Sequence, residues 1–287
     1  MESPRTRRHG DGSPSARTLA LTVLGEYVRY AGDERVAAGA VVGALGACGI
    51  GDAAARRALG RLGQEGWLRS EPVGRRTRLV LEPRLVRLLT AWTHRLERAV
   101  DTTPWSGEWQ QLVLRPPGGV WRERALLEQQ LAFEGFGALS PGLWCAADPG
   151  GVPALKGLFR EQGLASHALW LTCRAEDDAE LVSRTWELDD VRRAHEEFLA
   201  RFGGRGVREA RDPEGAFVAR TRLVHAWRGT FERDPRLPDA LLPRDWPGRE
   251  ATRLFVDAWR ALRAPADTYW RQLTVGMKPL ASSDSDG

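Results

Sequence analysis

Apolar residues recur at a three-to-four spacing over Leu19, Leu21, Val23, Leu24, Tyr27 and Val28, the period of one buried helix face. Gly32-Asp33 ends that stretch. Val36 to Cys48 is small and apolar and predicts a short, tightly packed second helix. Gly49-Ile50-Gly51 predicts a turn, with Asp52 as the N-cap of a third helix. From Ala53 to about Glu65, Ala55, Ala58, Leu59 and Leu62 make an apolar stripe, while Arg56, Arg57, Arg61 and Gln64 project elsewhere. Gly66 closes the helix, because a C′ residue commonly adopts the left-handed conformation. Trp67-Leu68 then opens a strand, Gly74-Arg75-Arg76 turns it, and Thr77 to Leu81 returns. Three short helices followed by a basic hairpin predict a winged helix-turn-helix.

Further on, Leu85, Val86, Leu88, Leu89, Trp92, Leu96 and Val100 predict an amphipathic linker helix, and Asp101 to Pro104 reads as a linker. Trp109–Leu114, Leu143–Ala146 and Ala168–Cys173 read as strands, separated by helices over Trp121–Phe133 and Ala154–Gln162. That alternation suits a ferredoxin-like α/β sandwich, with its fourth strand left unplaced. From Asp177 the pattern turns helical, over Val191–Phe202, Phe217–Phe231 and Arg249–Leu262. The expected fold is α+β. A disordered arm (1–15) precedes the winged helix-turn-helix (16–82) and a linker helix with its linker (83–104). A ferredoxin-like central domain (105–176), an all-α C-terminal domain (177–275) and a disordered tail (276–287) follow.

The 287 residues are 42% hydrophobic and 28% charged, an ordinary globular composition. No apolar run approaches the roughly 18 residues of a membrane helix, and no apolar segment follows the N-terminal arginines as a secretory signal would require. Cys48, Cys145 and Cys173 are odd in number and far apart, which excludes a disulfide framework and fits a reducing cytoplasm. Charge changes the picture more. Forty of the 42 basic residues are arginine, a bias that GC-rich coding alone produces, but residues 1–104 carry a net +6 and the remainder a net −2. The excess sits on the expected helix-turn-helix, which points to a nucleic-acid-binding head.

A helix fits the DNA major groove, where arginine bonds bidentately to guanine O6 and N7, and a basic hairpin beside it reaches phosphates. The candidate DNA contacts are therefore Arg56, Arg57, Arg61 and Gln64 on the third helix and Arg75, Arg76 and Arg78 on the hairpin. The competing reading is a solvated helix face in an arginine-rich chain. The five histidines are scattered and make no metal-ligand spacing. His225 reads as a helix residue satisfied by a neighbour, and Gly203-Gly204-Arg205-Gly206 as a loop rather than a phosphate cradle. With no GxSxG, Walker or HExxH motif, neither catalysis nor a cofactor is indicated.

Several fragments, in order and spacing, resemble the PaaX family of transcriptional repressors. In the head they are Arg56-x-Ala58-Leu59-x-Arg61-Leu62-x-x-Glu65-Gly66-Trp67-Leu68 and Gly74-Arg75-Arg76. The middle carries Trp105-Ser106-Gly107-Glu108-Trp109 and Gly135-Phe136-Gly137-x-Leu139-x-Pro141-Gly142-x-Trp144. Trp186-Glu187-Leu188-Asp189, Phe198-Leu199-x-Arg201-Phe202 and Leu223-Val224-His225-x-Trp227-Arg228 follow, then Asp234-Pro235-x-Leu237-Pro238-x-x-Leu241-Leu242-Pro243-x-x-Trp246-Pro247-Gly248. The resemblance implies a homodimeric repressor on a double-stranded DNA operator, released by an acyl-CoA effector, phenylacetyl-CoA in the founding members. It carries Arg56, Arg61, Arg75 and Arg76 over as DNA contacts; Arg57 and Arg78 come from their own positions. It also implies a middle domain similar to the small CRISPR-adaptation nucleases, yet the carboxylate those place at the end of the first strand falls near Leu114-Arg115, which has none. Most of the twelve tryptophans read as core; Trp109, Trp144 and Trp170, on neighbouring strands, are the nominees for an effector pocket. A metal-dependent nuclease and an RNA-binding adaptor are the rival functions.

Overall fold

The computed structural model describes residues 14–98, 104–115, 124–204, 210, 212–231 and 234–275. The expected arm up to residue 13, the tail from residue 276, Trp121 and Arg205-Gly206 lie outside them. The described residues are mixed helix and sheet, with two small antiparallel sheets among them. Its described residues divide into two compact units. One draws on Pro4–Val100, Arg201–Trp227 and Thr252–Gly287, the other on Asp101–Ala200 and Arg228–Ala251.

In the first unit, Ser15 sits at the N-cap of the first described helix. Its hydroxyl accepts from the Thr18 amide at 3.2 Å and caps α1 (Ala16–Val23). A π-helical stretch, Leu24–Arg29, follows directly. Next come β1 (Arg35–Ala37), α2 (Ala38–Ala47) and α3 (Asp52–Gln64), the hairpin β2 (Leu68–Val73) and β3 (Arg76–Leu81), and α4 (Pro83–Arg98). The sheet order is β1-β3-β2. Two details differ from the sequence pattern. Arg35–Ala37 extends along β3 with Val36 opposite Leu79, so α2 begins later than its apolar residues suggest. The residue at the cap position of α3 is Gly51, with Asp52 already in the first turn, where its charge favours the positive helix end.

The core of this unit is not local. Leu19, Leu24, Tyr27, Leu45, Leu59, Leu62, Trp67 and Leu85 are joined by Phe217 of α9 (Pro213–Phe231) and Ala266 of α11 (Arg263–Val275). Phe217 lies 4.6 Å from Tyr27 between ring centroids and 6.5 Å from Trp270, the Phe217 and Trp270 rings being parallel within 4°. Beneath them, Glu26 in the π-helical stretch accepts from Arg220 Nε at 2.8 Å and from Trp259 Nε1 at 2.9 Å, Trp259 belonging to α10 (Gly248–Ala261). Thr22 meets His225 Nδ1 at 3.2 Å, so His225 has the neighbour expected of it.

The second unit holds the sheet β5-β6-β4-β7, formed from β4 (Trp109–Leu114), β5 (Gly137–Ser140), β6 (Leu143–Ala146) and β7 (Ala168–Cys173), every pair antiparallel. With α5 (Arg124–Phe133) and α6 (Val152–Glu161) the chain order is β-α-β-β-α-β. Gly137–Ser140 is the strand the sequence left unplaced: it is four residues long, opens on glycine and shifts register between Ala138 and Ser140. On one face of the sheet, Leu112, Leu114, Leu131, Phe136, Leu155 and Phe159 form a core. At one end of the other face, Trp109 packs with Val182 of α7 (Asp178–Thr185) and with Leu237. The helix α8 (Leu188–Phe202) follows.

Candidate nucleic-acid interface and effector cleft

The interface rests on one division of labour along α3. Ala55, Ala58, Leu59 and Leu62 are buried against the head core, and this leaves Arg56, Arg57, Arg61 and Gln64 exposed. Asp52 is 4.0 Å from Arg56, a loose pair with both side chains in water. The far end of the helix is pinned. Glu65 pairs with Arg17 and accepts from Trp67 Nε1 at 3.1 Å, while the Arg84 guanidinium stacks 3.9 Å from the Trp67 ring and donates to the Glu65 carbonyl.

The hairpin turns on two residues, Gly74-Arg75, between the paired Val73 and Arg76. Gly74 takes φ +60°, the conformation that such two-residue turns demand. Arg75 and Arg76 stand exposed there and Arg78 is half-buried across from Glu71. Arg76 thus belongs to the strand rather than to the turn. Arg69 is occupied differently: it pairs with Glu71 at 2.6 Å and Glu82 at 3.1 Å. Its hydrogen bond holds the Glu71 carboxyl below the usual range. Five arginines of the unit's helix and hairpin tip, with Gln64, are thereby presented to solvent, the geometry that phosphate and base-edge contacts require.

The second unit contains a cleft of about 280 Å³, lined by Glu128, Ala132, Phe136, Gly137, Ala138, Trp144, Trp186 and Pro235. Of the three nominated tryptophans, Trp144 alone lines it. Trp109 is fully buried one layer behind, stacked 6.0 Å from Trp186, and donates to Asp178 at 2.8 Å. Trp170 packs in the other core against Phe136 and Phe159, with the Lys156 ammonium 5.7 Å from its ring. Sequence periodicity ranked Trp186 as core and missed it as a wall. The hidden signal is Gly137, where a Cβ would fall 2.5 Å from the Trp186 indole, so that ring lies directly on strand backbone.

Pro235 is set by a strained corner. Arg236 takes φ +55° as the one non-glycine residue with positive φ among those described. Asp234 holds it by accepting from its amide at 2.7 Å, and the Arg236 guanidinium reaches Asp148 at 2.9 Å and the Glu134 carbonyl at 3.3 Å. The fully buried His195 meets Asp234 at 3.1 Å from the other side. Strain held by several partners is a common property of ligand clamps.

The described residues contain no group of three or more His, Cys, Asp or Glu able to hold a metal, and no helix long and apolar enough to cross a membrane. Residues 15–82 match the family described as PaaX-like protein, and residues 186–272 match the PaaX-like protein C-terminal domain. The chain is 30% identical over 263 residues to the transcriptional repressor PaaX of Escherichia coli K12, covering 88% of this chain and 81% of that one. It is also similar to a solved structure, the uncharacterized protein Rv0674 from Mycobacterium tuberculosis. The TM-score is 0.57 at 27% identity, across 88% of this chain and 98% of that one. The match thus spans both the head and the C-terminal helices, and the chain belongs to the PaaX family.

Proposed function

We propose that this chain is a homodimeric transcriptional repressor that binds a double-stranded DNA operator and leaves it when a small acyl-CoA, such as phenylacetyl-CoA, is bound. One observation carries the reading: the exposed arginine face of α3 and the basic hairpin tip lie in the segment that matches the PaaX-like family, and the similar E. coli protein is named a transcriptional repressor. The helix order and the β2–β3 hairpin support a winged helix-turn-helix, in which α3 enters the major groove and the hairpin lies along the backbone. The β-α-β-β-α-β order with strands arranged β5-β6-β4-β7 supports the ferredoxin-like reading of the second unit. In this scheme the cleft beside Trp144 and Trp186 seats the apolar end of the effector. The effector acts only as far as it binds the DNA-free state more tightly.

The test is a gel-shift titration with DNA from upstream of the chain's own gene, with and without phenylacetyl-CoA and Mg²⁺. The repressor reading expects a sharp shift, no cleavage, and loss of the shift on adding the acyl-CoA. Cleavage would establish the nuclease instead, and stronger competition by duplex RNA than by duplex DNA would establish the adaptor, since the A-form major groove does not admit α3. A shift untouched by the acyl-CoA removes that effector.

A further inference from the structure

The walls of the cleft beside Trp144 and Trp186 are held by unusually close packing, which three glycines record. A Cβ at Gly135, which takes φ +87°, would fall 3.0 Å from the Pro235 carbonyl oxygen and 3.3 Å from the Arg236 guanidinium. One at Gly151, just before α6, would lie 2.7 Å from the Glu134 side chain, and the space beside Gly137 is taken by Trp186. Where Pro235 meets Gly135, backbone therefore lies on backbone, an approach that glycine alone admits. Phe136, Gly137 and Ala138, the next residues along, line the cleft, and so does Pro235.

Pro235 is held there from two directions. On one side the Arg236 guanidinium, only 10% exposed, spans Asp148 at 2.9 Å and the Glu134 carbonyl at 3.3 Å, so it ties the start of α6 to the end of α5. On the other, Asp234 divides its carboxylate. Oδ1 accepts from the Arg236 amide at 2.7 Å, and Oδ2 meets Nε2 of the buried His195 at 3.1 Å. The Asp234 amide in turn donates to the Thr230 carbonyl of α9 at 3.0 Å. The Trp246 ring stands edge-on to His195 at 6.1 Å, and a Cβ on Gly248 would fall 3.1 Å from the same Nε2. Glycine or asparagine adopts the φ of +55° found at Arg236 more readily than arginine does. The guanidinium, not the backbone, is what this position requires.

We propose that Arg236 is a specificity-determining residue of this cleft: by fixing Pro235 it fixes the width, so that one small aromatic ring is accepted and a fused pair of rings is refused. Arg236 is not among the lining residues and acts through the wall, which makes it a positioning residue. The volume agrees with a single ring. About 280 Å³ is less than the roughly 300–1,000 Å³ that takes up a whole drug-sized molecule. The lining agrees as well, since the indoles of Trp144 and Trp186 offer flat faces and edges to a ring. A wall free to move yields to a wider group, whereas a fixed one clashes with it, and that difference is specificity. The proposal rests on the effector reading above and supplies the side chain that selects the acyl end.

Ligand-observed NMR titrations of the full chain with two neutral probes, phenylacetamide and 1-naphthylacetamide, test it. The wild type is expected to prefer the single ring by about tenfold or more. Arg236→Gly suits the backbone and removes the guanidinium, and it is expected to cut that preference to within about twofold. Far-ultraviolet circular dichroism verifies that the variant is folded. Asp148→Asn keeps the cap on the Gly150 amide but withdraws the counter-charge, and it is expected to erode the preference in the same direction. The double variant is expected to go no further than Arg236→Gly, because both changes break one bridge. A preference that survives in Arg236→Gly, whatever happens to its stability, assigns the bridge to folding alone and overturns the proposal. So does a wild type that binds neither amide or binds both alike, or single variants whose effects multiply. Gel shifts keep the two readings apart. If the amides behave as expected but phenylacetyl-CoA leaves the DNA complex intact, only the effector reading falls; if phenylacetyl-CoA releases DNA from a wild type that binds neither amide, only the role of Arg236 falls.

Discussion

At the scale of single residues, the strongest commitment in the molecule is the buried pair Glu26–Arg220, with side chains 4% and 1% exposed. Arg220 gives Nε to Glu26, donates to the Trp259 carbonyl, and lies 4.8 Å from the Trp259 ring. Removing one partner strands the other charge in the core, whereas removing both leaves no buried charge there. Arg220→Met is therefore expected to lower unfolding stability by about 3–5 kcal/mol in urea titrations, and Glu26→Leu/Arg220→Met to recover most of that. The thiols follow burial. Desolvation pushes Cys48 and Cys145 up to about 11, against a partly exposed Cys173. At pH 8 both buried groups stay protonated, so iodoacetamide is expected to modify native Cys173 first, as peptide mapping reads directly. Because the folded pKa values lie above those of the unfolded chain, this contribution to stability is full below about pH 8.5 and declines as pH rises toward 11.

At the scale of elements, the proposed repressor reading gives specificity to α3 and affinity to the hairpin. Arg61→Ala is expected to cost about 1–3 kcal/mol and to relax preference at one base position, if operator variants are compared in parallel titrations. Arg75→Ala/Arg76→Ala is expected to weaken all duplexes alike and to reduce the salt slope by about two, since each phosphate contact releases roughly one counterion. An equal, sequence-blind loss for Arg61→Ala would reassign it to the backbone. These elements were legible because an amphipathic helix and a glycine-centred turn are local matters. The apolar stripe of Ala55, Ala58, Leu59 and Leu62 and the conformation of Gly74 need no distant partner to be recognised. Strand β5 was not legible, because its place comes from pairing with β6 and from the Trp186 ring on Gly137, not from any alternation in four residues. The π-helical turn at Leu24–Arg29 was hidden for the same reason: its sequence continues the period of α1.

At the scale of the molecule, the head does not close on its own sequence. Phe217 and Ala266 are fully buried in its core, and Tyr269, Trp270 and Leu273 cover it. The Leu273 side chain comes within 3.1 Å of where a Cβ on Gly43 of α2 would sit. A fragment of residues 14–98 loses these partners, at roughly 1.5–3 kcal/mol for each large side chain uncovered. It is expected to melt below the full chain and to exchange the amides of α1 and α2 faster, as hydrogen exchange can measure.

The hydrophobic pattern set the helices and hairpin of the head and most strands of the second unit. The charge count placed the basic excess on that head, and ordered motifs named the family. Each is a property of neighbours along the chain, or of matches in order. Only the tertiary structure decided that Glu26 finds its counter-charge 194 positions away, that Trp144 and Trp186 share a cleft while Trp109 and Trp170 do not, and that β7 is the last strand of its sheet among the described residues. Burial, pairing and exposure depend on which surfaces the fold brings together, and a residue's type states its preference among those environments without saying which one it receives.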